Sequence, residues 1–287
     1  MTTTGARPDV AATADGPAWV ENRSTRGRRA LRLDEVWRSR ELVWFLALRD
    51  LQVRYKQAVF GITWAVLQPV VGAAVLTVVF SRLAGVKTGG IPYPAFAYLG
   101  YSVWSYFSSS LTTMTDSLVE NAPLVTKVYF PRLAVPLAGA LPGLVDLAVA
   151  LVVLIGFMAY YAIVPGIAIV TLPLWLAALV LTALGAGLLL ATLNVRYRDV
   201  HHITGLLVQV WIFASPVAYP ASLVHGNVRY LYYLNPMAAV LEGFRWCLLA
   251  GPGPGWPALV SLATGLLLCF VSVRAFQANE RRFADVI

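Results

Sequence analysis

Long stretches of this chain carry no formal charge, and this constrains the fold more than any other feature. The 22 residues from Val59 to Phe80 are uncharged, and so are the 49 residues between Asp146 and Arg196. One soluble core cannot bury so much apolar chain, whereas the hydrocarbon of a bilayer requires about 20 apolar residues for each helix that crosses it. The sequence therefore predicts an integral membrane protein.

Composition narrows the class of protein further. Of the 287 residues, 59% are hydrophobic and 13% are charged, whereas about 25% are charged in an average soluble domain. The length suits five to seven spans with short loops and leaves no room for a separate catalytic domain of about 100 residues. The net charge of +8 does not indicate nucleic-acid binding, because the basic residues flank the apolar runs. With two cysteines and three histidines, neither a disulfide framework nor a metal site is expected.

The apolar runs predict an all-α membrane protein with six spans. Six spans place both termini on one side, and the basic residues then divide into 18 on that side and 4 on the other. Positive residues collect in cytoplasmic loops, so both termini are predicted to be cytoplasmic. Residues 1–30 lack the apolar core of a signal peptide and are predicted to be a disordered cytoplasmic tail. The spans of this membrane domain (58–287) are predicted at residues 59–80, 93–115, 133–161, 167–194, 203–217 and 258–274.

Residues 31–57 are predicted to form an amphipathic helix that lies in the membrane interface. Large apolar side chains recur there at helical spacing, and basic side chains fall on another face. Tryptophan at headgroup depth would anchor such a helix. The alternative is a cytoplasmic helix that packs on protein. The recurring apolar residues are Trp37, Trp44, Leu48, Leu51 and Tyr55.

Residues 218–250 are too polar for a full span and too apolar for a solvated loop. We predict a pair of short helices that dip into the outer leaflet and are interrupted at Asn235-Pro236. Irregular backbone at membrane depth is tolerated only inside protein or against water, so this hairpin should pack on the other helices. It is a candidate lid or gate.

Chemistry-bearing residues are few inside the predicted spans. Asp146 lies near the middle of the third span, where an ionisable residue is a functional candidate by default. Because no lysine or arginine is evident at similar depth, the alternative is a protonated carboxyl group that is hydrogen-bonded inside the bundle. The chain contains no GxxxxGK[ST], HExxH, CxxC or GxSxG motif, so it carries no recognisable nucleotide-binding or hydrolase signature.

Seven short motifs, in this order, are similar to those of one known family. The family is the membrane-spanning permease subunit of bacterial ABC-type exporters of polysaccharide, O-antigen or teichoic acid. The resemblance covers about residues 40–287. The motifs are RDLQVRYKQ (49–57), GITWAVLQP (61–69), KVYFPR (127–132), NVRYRD (194–199), SPVAYP (215–220), LNPM (234–237) and RFAD (282–285).

The resemblance implies a function, partners and a location. It implies a homodimer in the bacterial plasma membrane that works with two copies of a separate ATPase. ATP and magnesium would bind to that partner, so this chain would need no cofactor and would not be an enzyme. The transported substrate would be a lipid-linked polysaccharide or a polyol-phosphate polymer, carried from the cytoplasm to the outer side.

The resemblance also implies roles for two segments on the cytoplasmic side. Residues 117–132 resemble the coupling segment that docks into the ATPase; a simple turn between spans is the alternative. The predicted coupling residues are Glu120, Asn121, Leu124, Lys127, Tyr129, Phe130, Pro131 and Arg132. The amphipathic helix resembles a gate helix near the entry point of the substrate, and its candidate residues are Trp37, Trp44, Arg49, Arg54, Tyr55 and Lys56.

The resemblance implies one further group of residues, and the chemistry of the second and third spans suggests another. The hairpin 218–250 resembles an outward gate, with candidate residues Pro216, Tyr219, Asn235, Pro236 and Arg245. Aromatic rings on the second span suit a channel for sugars because they offer flat amphipathic surfaces; contact with lipid or core packing is the alternative. The channel-lining candidates are Tyr98, Tyr101, Trp104, Phe107 and Asp146.

Two other functions stay open at the level of sequence. The same architecture could export a drug, a lipid or a small hydrophobic compound. A membrane-embedded glycosyltransferase or acyltransferase is a different class, and it would need polar catalytic residues grouped at one membrane face. The predicted outer face offers no pair of acidic residues, which disfavours the enzyme.

Overall fold

The computed structural model describes residues 37, 39–56, 63–127, 130–226 and 228–286. The predicted tail (1–30) and Tyr129 lie outside these ranges. Within them the chain forms eleven α-helices and no strand. The helices are α1 (Arg40–Lys56), α2 (Thr63–Leu76, extended by a π-helix at Thr77–Leu83), α3 (Tyr93–Glu120), α4 (Ala122–Lys127), α5 (Ala134–Gly139), α6 (Pro142–Tyr160), α7 (Leu172–Arg196, preceded by a 3₁₀ helix at Ile167–Thr171), α8 (Val200–Ala214), α9 (Val228–Tyr232), α10 (Pro236–Leu248) and α11 (Pro257–Val286).

The described helices confirm an all-α membrane protein. Four helical segments are long and apolar enough to cross a bilayer, with mean hydropathies between 1.8 and 2.4. They coincide with the first, third, fourth and sixth predicted spans. The segments are Thr63–Leu83, Ala134–Tyr160, Ile167–Arg196 and Pro257–Glu280.

The second and fifth predicted spans differ from these four. Helix α3 has 28 residues and is about 42 Å long, but its sequence is too rich in hydroxyl groups to count as an apolar span. Helix α8 is apolar but has only 15 residues, or about 22 Å, against a hydrocarbon thickness of about 30 Å.

Helix α3 is the centre of the fold. It contacts α2, α4, α5, α6, α7, α8 and α10, and most of its side chains are buried. Several of its hydroxyl groups donate to carbonyl oxygens of the preceding turn, as Ser102 does to Tyr98 at 2.8 Å and Thr115 does to Leu111 at 2.8 Å. A polar helix can be buried because such local hydrogen bonds satisfy its side chains.

A second apolar cluster lies at the end of the molecule where α3 ends. Leu46 and Ala47 of α1, Val125 of α4 and two phenylalanines of α11 share this cluster. The last helix extends beyond the sixth predicted span, which was placed at residues 258–274. The helix continues to Val286 because Phe276 and Phe283 are buried there, with ring centroids 5.1 Å apart.

The crossing of α7 and α11 depends on a glycine. A Cβ atom added to Gly185 would lie 2.8 Å from the backbone nitrogen of Cys269 and 3.0 Å from its Cα. These atoms belong to another helix backbone, so they cannot move aside without separating the helices.

We expect Gly185→Ala to lower the free energy of unfolding by about 1–3 kcal/mol through overpacking. Thermal unfolding of the purified protein in detergent measures this change. Gly156→Ala in α6 is the matched control, because nothing lies within 4 Å of its added Cβ; it should be neutral or stabilise by up to about 1 kcal/mol. Equal unfolding midpoints for the two variants would contradict the close helix crossing.

Candidate functional site

A cavity of about 430 Å³ lies between α1, α2, α3, α6 and α8. Helix α3 supplies a wall of hydroxyl groups, and α2 adds the amide of Gln68. Among the described residues that line the cavity, Arg54 and Asp146 are the charged ones. The hydroxyl-bearing residues of this wall, called the hydroxyl wall below, are Ser102, Ser105, Ser108, Ser109 and Thr112.

The periodicity of α3 explains the hydroxyl wall. Ser102, Ser105, Ser109 and Thr112 are spaced by 3, 4 and 3 residues, so they share one face of a helix. The opposite faces of α3 carry the aromatic and aliphatic side chains that pack into the protein. Ser102, Ser108 and Thr112 already donate to backbone carbonyls of α3, but each hydroxyl oxygen can still accept a hydrogen bond from a polyhydroxylated ligand.

Asp146 has partners that the sequence did not reveal. Its Oδ2 lies 2.6 Å from Nη1 of Arg54, and the hydroxyl of Tyr55 donates to its Oδ1. Nη2 of Arg54 also lies 3.4 Å from Oγ of Ser109. The expectation that Asp146 lacks a basic partner is therefore wrong, because the end of α1 folds onto the first turns of α6.

This contact changes the chemistry of Tyr55. Partial burial, together with the hydrogen bond to Asp146 and its negative charge, raises the pKa of Tyr55 to about 12. The phenol is protonated at neutral pH even at its ordinary pKa, and this shift makes it a still weaker acid. Arg54 and Tyr55 both belong to the predicted gate helix, and their side chains form part of the cavity wall.

Helix α1 has two apolar faces. It therefore has features of both predicted alternatives, an amphipathic interfacial helix and a helix that packs on protein. Leu46 and Ala47 are buried against the protein, where α1 contacts α5. Trp44 and Phe45 are 61% and 66% exposed. One face thus packs on protein, and the other offers aromatic rings to the surroundings. The remaining candidates lie on the surface: Trp37 is exposed, Arg49 pairs with adjacent Asp50 at 2.7 Å, and Lys56 is exposed.

Three of the four aromatic channel candidates pack inside this subunit. Tyr98, Trp104 and Phe107 are buried; the hydroxyl of Tyr98 donates to the carbonyl of Ala150 at 3.1 Å. Tyr101 is partly exposed and stacks closely on Gly72 of α2. Core packing accounts for the three buried rings in this state of the chain. The channel role of all four stays a prediction.

Sequence reasoning missed two other parts of this region. Tyr106 lines the cavity but was not among the aromatic candidates. Near the end of α3, Asp116 accepts a hydrogen bond from Asn194 of α7, and its carboxylate lies 2.9 Å from Nδ1 of His201 in α8. The position of His201 beside a charged turn was the only sequence feature that pointed to its contact with Asp116. The contact could not be predicted, because the two residues are 85 positions apart in the chain.

The predicted coupling segment has an exposed face and a buried one. Glu120, Pro123 and Lys127 are exposed, whereas Val125 is buried in the second apolar cluster. Asn121 caps the end of α3 by donating to the carbonyl of Ser117 at 2.8 Å. The short helix α4 is therefore anchored to the protein by its buried face, and its other face is exposed.

The end of the same segment is fixed to the last helix. The backbone N–H of Arg132 donates to the Glu280 carboxylate at 3.2 Å, and its guanidinium donates to the Glu280 carbonyl. The ring of Phe130 packs against the second apolar cluster, and Leu124 does the same. Arg132, Phe130 and Leu124 therefore position the segment, and Pro131 is partly buried beside them.

The candidates for the outward gate meet in one place. Asn235 caps α10: its side chain accepts from the backbone N–H of Met237 and from Nε1 of Trp211, each at 3.0 Å. Its amide nitrogen donates to the carbonyl of Ala214 and the hydroxyl of Ser215. Asn235, followed by buried Pro236, thus joins α10 to the end of α8.

Arg245 holds the turn that follows α8. It is only 4% exposed, and it donates to the carbonyls of Pro216 at 2.5 Å and Val217 at 2.7 Å. Its guanidinium lies 3.5 Å from the ring centroid of Phe96. Burial lowers the pKa of Arg245 to about 9. This value is still above neutral pH, where the group is therefore charged. Gly100 makes room for it, since an added Cβ would lie 2.6 Å from Nη2.

Tyr219 completes this group from the turn itself. Its hydroxyl donates to the carbonyl of Phe213 at 2.9 Å, and its ring lies 6.4 Å from that of Tyr232 in α9. We call Pro216, Tyr219, Asn235, Pro236 and Arg245 the outer cluster. The cluster joins α10 to the end of α8 and the following turn through polar contacts, of which the two hydrogen bonds of Arg245 are buried.

We expect Arg245→Met to lower the free energy of unfolding by about 2 kcal/mol, because two buried carbonyls lose their donor. Arg245→Lys should fall between this variant and the parent, since an ammonium group cannot reproduce the planar fork. Thermal unfolding in detergent measures both. Arg229→Gln is the control, because Arg229 is exposed on α9 and should change stability by less than about 0.5 kcal/mol. An Arg245→Met variant as stable as the parent would contradict the conclusion that Arg245 holds the turn after α8.

Comparison with known proteins gives a consistent result over most of the chain. The ABC-2 type transporter family matches residues 41–249. Two O-antigen export system permease proteins RfbA from Klebsiella pneumoniae are each 25% identical over 249 residues, which is 86% of this chain and 95% of the relative. The protein of that name from Myxococcus xanthus is 27% identical over 257 residues, which is 88% of this chain and 98% of the relative.

The family match includes the cavity and the outer cluster, and it excludes a catalytic role for the chain itself. Members of the family are transmembrane permeases that work with an ATPase subunit. The chain belongs to the ABC-2 type transporter family, as a multi-pass permease distantly related to O-antigen export permeases.

Proposed function

We propose that this chain is the permease of an ATP-driven exporter that carries a lipid-linked polysaccharide or polyol-phosphate polymer out of the cytoplasm. The observation that carries this proposal is the hydroxyl wall beside the Arg54–Asp146 pair. Hydroxyl groups and one charged pair suit a polymer of sugars or polyols, which offers hydroxyl groups at every unit. The names of the relatives from Klebsiella pneumoniae and Myxococcus xanthus support the same substrate class.

The proposed topology has six spans, with α3 and α8 as the second and fifth. Helix α3 can be a span despite its hydroxyl groups because other helices surround it, and a buried helix needs no apolar face toward lipid. Both termini then lie in the cytoplasm of a bacterial cell, as the 18-to-4 split of basic residues favours. In this orientation α4 faces the cytoplasm and the outer cluster faces the opposite side.

The proposed assembly is a homodimer with two copies of a separate ATPase. The exposed apolar faces of α2 and α8 support a second copy or lipid as neighbours, since they carry Leu67, Val71, Leu206 and Phe213 in exposed positions. The exposed face of α4 is the proposed docking surface for the ATPase. ATP and magnesium would bind to the ATPase and not to this chain.

An exporter for a drug or another small hydrophobic compound is the second candidate. Its binding region should be lined mainly by apolar and aromatic side chains. The cavity does contain Trp64, Leu147 and Val208, but the hydroxyl wall occupies one whole side of it. We therefore favour the hydrophilic polymer.

The test of the proposal is a charge reversal on the docking surface. We expect Glu120→Lys to abolish export of the surface polymer while the protein still inserts at normal abundance, because the exposed carboxylate at the end of α3 changes sign. Deletion of the partner ATPase should give the same phenotype. Immunodetection of the polymer at the cell surface and quantification of the protein in membranes measure the two effects.

Asp199→Lys provides the control for this charge reversal. Asp199 is also exposed on the proposed cytoplasmic side, in the turn before α8, but it lies outside the coupling segment. Export should continue in this variant. Normal export in the Glu120→Lys strain or in the strain without the ATPase would overturn the proposed mechanism.

A further inference from the structure

The last turn of α1 is held to the rest of the protein mainly by one carboxylate. Gln52, Val53 and Lys56 of this turn are exposed. Its two partly buried side chains, Arg54 and Tyr55, both bind Asp146 of α6. The apolar contacts of α1 lie further back, around Leu46 and Ala47, so they do not fix its end.

The Arg54–Asp146 contact is less buried than the contacts that Arg245 makes with the carbonyls of Pro216 and Val217. The side chains of Arg54 and Asp146 are 33% and 27% exposed, whereas Arg245 is 4% exposed. Breaking a buried charge contact leaves an unpaired charge without solvent, whereas partly exposed partners can be rehydrated when they separate. The Arg54–Asp146 contact therefore suits an element that opens and closes.

The same contact forms one wall of the cavity. Arg54, Tyr55 and Asp146 all line it, and they face the hydroxyl wall across Ser109. Separation of Arg54 from Asp146 would let the end of α1 move away from α3 and α6, since none of the described residues of that turn belongs to an apolar cluster. The cavity would then open on the side of α1.

We propose that Asp146 is a latch for the end of α1: it positions Arg54 and Tyr55 in the cavity wall, and release of this contact opens the cavity. Asp146 is on this view a positioning residue. Arg54 and Tyr55 are the two groups that the latch holds. The inference rests on the proposed function only in making this cavity the route of transport.

The test measures how fast a cysteine in the cavity reacts. Ser105→Cys places a reporter on the hydroxyl wall, away from Arg54, in a full-length chain whose Cys247 and Cys269 are replaced by alanine. A charged methanethiosulfonate reagent is added to membranes that contain the chain with its ATPase. We expect Asp146→Asn to raise the labelling rate at least about fivefold, which corresponds to about 1 kcal/mol.

Two further variants show whether Arg54 and Asp146 act through one contact. Arg54→Gln should raise the labelling rate as much as Asp146→Asn does. The double variant should label no faster than either single variant, because both changes break the same interaction. Arg54→Gln also keeps the test decisive if Asp146→Asn fails to accumulate in membranes.

Asp50→Asn is the matched control on α1. It removes the pair between Asp50 and Arg49, which lies outside the cavity, and it should leave the labelling rate unchanged. A parental rate in Asp146→Asn or Arg54→Gln, or multiplied effects in the double variant, would overturn the latch. Labelling requires no transported polymer, so a failed latch is distinguishable from a wrong substrate, which the export assay detects.

Discussion

The burial of α3 is the constraint on which the rest of the structure depends. This helix carries nine serine and threonine residues between Tyr93 and Glu120, and such a helix cannot face hydrocarbon. Its hydroxyl groups are satisfied partly by carbonyls of its own turns, and seven other described helices contact its remaining faces and shield them. Where the shield is incomplete, the hydroxyl groups line a cavity. The need to bury the hydroxyl-rich helix α3 therefore explains both the apolar helices around it and the polar wall of the cavity.

Two arginines make charged contacts that differ in burial. Arg245 is enclosed by carbonyl groups and the ring of Phe96, and it ties the turn after α8 to α10. Arg54 has a carboxylate partner and access to solvent. A transporter needs both kinds of contact, because a substrate path must open while the packing around it persists. In this chain the contact that we propose to open lies at α1, and the more deeply buried contact lies at the outer cluster.

The sequence predicted those features that depend on local pattern. Uncharged runs identified four spans, and the motif around Asn235-Pro236 identified a break that the structure shows as a helix cap. Features that join distant residues were missed. Arg54 and Asp146 are 92 positions apart, and no periodicity connects them. The extension of α11 beyond the sixth predicted span was not foreseen, because its last turns pack on another part of the protein through Phe276 and Phe283 and hydropathy does not show that contact.

The measurement that tests the central claim most directly is the side of the membrane from which three positions can be labelled. Lys127→Cys, Arg198→Cys and His225→Cys, each in a chain without its native cysteines, are treated with an impermeant thiol reagent in intact cells and in inverted vesicles. An ATPase-driven permease requires Cys at 127 and 198 to react only from the cytoplasm, and Cys at 225 only from outside. Reaction of position 127 or 198 in intact cells would contradict the account, because no cytoplasmic ATPase could then reach α4.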